Sequence, residues 1–107
     1  MPPQKKILIS EDVTGTGIER LKQKYHVQID PELWKKISAL EEIIPGFDAL
    51  IVRNQTKVTA SLLSKGSALR VIGRAGAGYD NIDVPAASQA GVVVSYSPEE
   101  NAVSVAE

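Results

Sequence analysis

The sequence predicts an α/β protein built on an open, parallel, five-stranded sheet with helices on both faces. Three observations carry this. Short runs rich in β-branched residues recur five times, and the first, with Ile7, Leu8 and Ile9 in a row, is continuous, as in a strand buried on both faces. Stretches with helical apolar spacing or helix-start signals separate them, and Gly and Pro punctuate the boundaries. Strands alternating with helices make parallel βαβ units with right-handed connections, and the expected strand order is the flavodoxin-like 2-1-3-4-5.

The first run, KKILIS (5–10), reads as a buried strand through Ile7, Leu8 and Ile9. Gly15 and Gly17 turn the chain. Thr16 and Glu19 have capping-box spacing, and Ile18, Leu21 and Tyr25 share one face of a helix ending near residue 24. HVQI follows as the second strand. Leu33, Ile37, Leu40 and Ile44 keep helical spacing over 31–45, Ser38 with Glu41 offers a second capping-box start, and Pro45-Gly46 ends the helix. ALIVRN (49–54) is the third strand, Thr59 to Lys65 a short helix closed by Gly66, and LRVIG (69–73) the fourth strand. Pro85 suits the first turn of a helix over 84–90 that Gly91 ends, VVVSY (92–96) is the fifth strand, and ENAVSVAE begins a further helix.

Composition narrows the function. A formal charge of −1, with basic residues scattered along the chain, favours neither a nucleic-acid surface nor an anionic membrane. The absence of cysteine removes disulfides and thiolate metal sites, and the single histidine leaves little material for zinc, so no metal site is expected. The apolar runs are far shorter than a membrane span, and MPPQKK leads into a strand rather than a signal-peptide core; a cytoplasmic protein is expected.

The stretch VIGRAGAGYDNID (71–83) places Gly73, Gly76 and Gly78 behind an apolar run. A dinucleotide fingerprint needs G-x-G-x-x-G between strand and helix, and from Gly76 the third position falls on Asn81. The other reading is a glycine-permitted strand-to-helix turn. In a sheet of the expected order, ligands sit beyond the carboxyl ends of the strands near the switch between strands one and three. That rim gathers Ser10 to Asp12, Arg53 to Thr56, Arg74 to Gly78 and Tyr96 to Asn101. Guanidinium forks, loop amides and the Asn101 amide there suit a small anion. The acidic pair in ILISED fits a phosphoryl-accepting receiver domain, but the third strand ends in Arg53-Asn54 where such a domain needs an aspartate, and SYSPEEN lacks its lysine. Glu11 and Asp12 then read as polar loop residues.

ALIVRNQTKVTASLL and LRVIGRAGAGYDNIDVPAASQAGVVVSYSPEENAVSVAE closely resemble the N-terminal substrate domain of NAD-dependent D-isomer-specific 2-hydroxyacid dehydrogenases, most nearly the members acting on 3-phosphoglycerate. The resemblance is strong from residue 49 onward and rests on element order over 5–48. It implies that the amides of Gly76 and Ala77 approach a substrate carboxylate and that Arg53 and Arg74 meet the substrate's anionic end. It also implies that Asn101 and Ser104 line the cleft beside substrate and nicotinamide, with Ala77 and Ser104 touching cofactor. Ala77 replaces a larger or hydroxylated residue, so only its backbone contact survives. The substrate stays open among phosphoglycerate, glyoxylate and other small 2-hydroxy or 2-oxo acids.

By the same resemblance, residues 1–100 form the substrate-binding domain and 101–107 start an inter-domain helix. The NAD-binding domain, with the catalytic arginine, glutamate and histidine, would follow; no catalytic residue is expected in this chain, and His26 is expected to be structural. The chain alone is then expected to be inactive, with NAD affinity at best about millimolar, roughly −4 kcal/mol, whereas the whole enzyme is expected to be a homo-oligomer. The alternative from another class is a stand-alone flavodoxin-like module that binds a small anion or a partner without catalysis.

Overall fold

The computed structural model describes residues 5–13, 15–75 and 81–97. Five strands, β1 (Lys6–Ile9), β2 (His26–Ile29), β3 (Ala49–Val52), β4 (Val71–Ala75) and β5 (Val93–Ser97), pair in parallel in the order β2-β1-β3-β4-β5. This is the expected order, and β3 lies at its centre.

Alternation along each strand divides the core in two. Ile7, Ile9, Ala49 and Ile51 face one side, where helix α1 (Thr16–Lys24) buries Ile18 and Leu21 against them. Leu8, Leu50, Val52 and Ile72 face the other, covered by α2 (Ile37–Ile43), α3 (Ala60–Lys65) and α4 (Val84–Gln89) through Leu40, Leu62, Leu63 and Ala87. Continuous apolar runs at β1 and β3 are thus explained: each strand needs apolar residues on both of its faces.

Several boundaries differ from the sequence reading, each for a local reason. The Thr16/Glu19 capping box does not form. Gly15, at φ 135, occupies the N-cap position and Thr16 is already helical, so its hydroxyl makes no cap bond. The single helix expected over 31–45 is three pieces: a 3-10 turn at Leu33–Lys35, α2, and a second 3-10 turn at Ile44–Gly46. The break falls at Lys36, whose φ −125 and ψ 78 lie outside the helical region and separate the first 3-10 turn from α2; Trp34 N–H, in a first turn with no helix carbonyl in reach, donates to the Ser10 carbonyl at 3.2 Å. Ser38 lies inside α2 and starts nothing. β4 begins two residues later than expected because Leu69 belongs to the turn after α3, its N–H bonded to the Gly66 carbonyl at 3.1 Å. Gly66 closes α3 at φ −85, outside the left-handed region. The helix expected from residue 100 lies outside the described residues.

The two threonines give a paired prediction. Thr59 caps α3, accepting from Leu62 N–H at 3.2 Å, so Thr59→Ala is expected to cost about 0.5–2 kcal/mol. Thr16→Ala removes no cap bond and is expected to leave the urea midpoint nearly unchanged. Equal midpoints for the two variants would show that the Thr59 bond contributes nothing.

Candidate functional site at the carboxyl ends of the strands

The carboxyl ends of β1, β3 and β4 lead into a rim whose polar groups are bonded to one another. The register sets Val52 beside Arg74, so Arg53, the next residue, leaves β3 next to the arginine of β4. Arg53 is exposed, and its Nη1 donates to the Asp12 carbonyl at 3.5 Å. Arg74 is 9% exposed, and its Nε donates to Asn81 Oδ1 at 2.8 Å. One arginine therefore lies open on the rim and the other is set into the protein with its guanidinium orientation fixed.

Around them the loop from Arg53 to Thr56 is held on all sides. Glu11, 2% exposed, accepts from the backbone N–H groups of Arg53 (2.7 Å), Gln55 (3.0 Å) and Thr56 (2.8 Å). The carboxylate is acceptor-only when ionised, which suits a loop whose N–H groups converge. Asn81 Nδ2 donates to the carbonyls of Arg53 (3.1 Å) and Thr56 (2.6 Å). Ser10 Oγ and Thr56 Oγ1 share a bond of 2.8 Å. Asn81 is fixed by an isolated parallel bridge, with Val58 N–H donating to its carbonyl at 2.8 Å. Among the described residues no buried side-chain polar atom lacks a partner.

Reading Glu11 as a simple polar loop residue is corrected here: it is a buried acceptor for three amides. Only its place after the first strand, at the rim, signalled this in the sequence; the convergence of amides from residues 53–56 depends on β1 and β3 being neighbours. In the sequence Asn81 stands only where the third glycine of a fingerprint would fall, which carries no sign of this role. Asp12, Trp34, Arg53 and Gln55 border an open cavity of about 300 Å³ beyond the ends of β1 and β3.

The glycine stretch has a structural answer in part. Helix α4 is capped by Asp83, whose Oδ1 accepts from Ala86 N–H at 3.1 Å. The segment 81–83, bridged through Ile82, therefore stands before the helix, so α4 is opened by Asp83 and not by a glycine as in a dinucleotide fingerprint. Gly76, Ala77, Asn101 and Ser104 lie outside the described residues. His26 is exposed at the start of β2, the opposite end of the sheet from this rim. Among the described residues no group of three potential metal ligands comes together, and no helix is long and apolar enough to cross a membrane.

A parallel sheet in the order β2-β1-β3-β4-β5, with helices on both faces and two arginines at its carboxyl rim, defines a class: a doubly wound α/β domain. The chain belongs to the D-isomer specific 2-hydroxyacid dehydrogenase family, whose catalytic-domain model matches residues 7–107. It is 44% identical over 102 residues to the D-3-phosphoglycerate dehydrogenase of Synechocystis, covering 95% of this chain and 18% of that protein. It is 37% identical to the hydroxypyruvate reductase of Thermotoga maritima, covering 95% of this chain and 33% of that one. The chain thus spans a third or less of the length of these relatives. Among solved structures, a protein from Pyrococcus horikoshii superposes with a TM-score of 0.77 at 32% identity, covering 91% of this chain and 28% of that one. The NAD+-bound 3-phosphoglycerate dehydrogenase of Entamoeba histolytica gives 0.74 at 29% identity, covering 87% and 32%.

Proposed function

We propose that this chain is the substrate-binding part of an NAD-dependent oxidoreductase that moves a hydride between a small D-2-hydroxy acid and NAD, with 3-phosphoglycerate as the substrate of first choice. The observation that carries this reading is the placement of Arg53 and Arg74 on the neighbouring ends of β3 and β4, at the carboxyl rim beside the β1/β3 switch point of a family member. Two guanidinium groups there supply charge-assisted bonds to a phosphate or carboxylate. In this reading the Gly76 and Ala77 amides take the substrate carboxylate, Asn101 lines the cleft, and Ala77 and Ser104 reach the cofactor. NAD accepts the hydride and is held mainly by residues outside this chain, as the family resemblance implies; α4, the helix that follows the glycine stretch, opens at Asp83 and not at a glycine that could seat a pyrophosphate. Residues 1–100 are the substrate-binding domain and 101–107 begin the connection to the cofactor-binding one, in a cytoplasmic homo-oligomer.

The chain's own contribution to chemistry is binding and orientation. A substrate fixed by its anionic groups presents its reacting carbon in one pose, which turns part of the barrier into binding already achieved. Arg53→Ala is expected to weaken 3-phosphoglycerate binding by on the order of 1.5–3 kcal/mol, about 10- to 150-fold. Titration of the chain with 3-phosphoglycerate, with uncharged glycerol as control, measures this. Equal affinity of the variant and the parent would remove Arg53 from the anion site.

A further inference from the structure

We propose that Glu11 and Asn81 are positioning residues that hold Arg53 and Arg74 as one preset unit. This rests on the substrate reading above. The Arg53–Thr56 loop presents N–H groups to one side and carbonyls to the other, and each side meets the complementary group: the acceptor-only carboxylate of Glu11 takes three N–H groups, and the donor end of Asn81 takes two carbonyls. The other end of the same Asn81 amide takes Arg74 Nε at 2.8 Å. A single side chain therefore joins the main chain of one arginine to the guanidinium of the other. Asp12, next to Glu11, adds its carbonyl to the Arg53 guanidinium. Both clamps are buried, at 2% and 7% exposure, so water does not replace them when one partner is lost. Glu11 has both oxygens committed, Oε1 to Gln55 N–H and Oε2 to the other two, which suits a fixed support and not a proton carrier. The position of the Arg53 main chain relative to the Arg74 guanidinium is thus set before an anion arrives, and the anion need not order the loop on binding.

The test uses the 107-residue chain with 3-phosphoglycerate as probe, read by amide NMR. In ligand-free Glu11→Gln, which keeps the shape and one acceptor, the Arg53, Gln55 and Thr56 amides are expected to exchange at least about tenfold faster while those of Leu50 and Ile72 stay protected. Affinity for 3-phosphoglycerate is expected to fall about fivefold or more, and this loss is expected to vanish when the same change is made on Arg53→Ala. A loss of undiminished size on Arg53→Ala, or parental loop exchange in Glu11→Gln, would overturn the proposal. If Glu11→Gln does not fold, Asn81→Ser gives the decision: the effects of Arg53→Ala and Arg74→Ala are expected to be non-additive in the parent and additive in Asn81→Ser, and additivity in both would sink it. If the parent chain takes up neither 3-phosphoglycerate nor hydroxypyruvate, the substrate reading fails. The loop amides of ligand-free Glu11→Gln then still decide whether Glu11 holds the loop.

Discussion

Leu50→Ala is expected to destabilise the chain by about 2–5 kcal/mol, the largest effect of any single side-chain truncation considered for this fold. Leu50 lies on the central strand, is fully buried, and is flanked in register by Leu8 and Ile72, themselves fully buried. Its side chain fills the side of the sheet that three helices cover. Paired strands on either side leave the cavity little room to collapse, so both the transfer and the cavity contributions are expected in full. For a domain of this size the thermal midpoint is expected to fall by roughly 10 °C or more. Val93→Ala is the comparison, because Val93 is 63% exposed on the edge strand and its loss is expected to change little. Chemical denaturation of the two variants checks the contrast. A loss below about 1 kcal/mol for Leu50→Ala would mean that this side of the sheet is not close-packed.

Arg74→Ala is expected to damage stability and binding together. Its removal leaves Asn81 Oδ1 without its donor in a buried setting, at a cost of about 1–3 kcal/mol. The buried stem of the side chain adds a packing loss. Binding of 3-phosphoglycerate is expected to weaken by on the order of 1.5–3 kcal/mol in addition. Lysine is not expected to rescue either effect, since an ammonium does not reproduce the planar fork that bonds Asn81 through Nε. Denaturation and titration on the same protein separate the two effects. A variant that keeps its stability would show that the Asn81 contact is weak, and one that keeps its affinity would remove Arg74 from the anion site.

The parts of the fold legible in the sequence were those set by local patterning. ILI and ALIV are apolar at every position, as suits strands covered on both faces, and all five expected strands form, β4 beginning two residues late. Asp83, Thr59 and the turn glycine at Gly91 (φ 76) mark helix ends in the structure. The misreadings fall where the backbone leaves the conformation that the local pattern favours. Lys36 leaves the helical region and splits the helix expected over 31–45, and Leu69 N–H bonds to the Gly66 carbonyl at 3.1 Å, keeping Leu69 in the turn before β4.

For the site, Arg53 and Arg74 could be picked out because strand order alone brings the ends of the third and fourth strands together. The alternation of strands and helices points to a parallel doubly wound sheet, of which 2-1-3-4-5 is one of the common orders. What only the tertiary structure decided is how those arginines are held. Glu11 and the Arg53–Thr56 loop are more than forty residues apart along the chain, and Asn81 comes from a bridge formed after β4. A carboxylate in the sequence carries no record of which N–H groups will converge on it. That convergence depends on backbone direction at the end of two neighbouring strands, which is fixed by sheet pairing and burial rather than by the identity of residue 11.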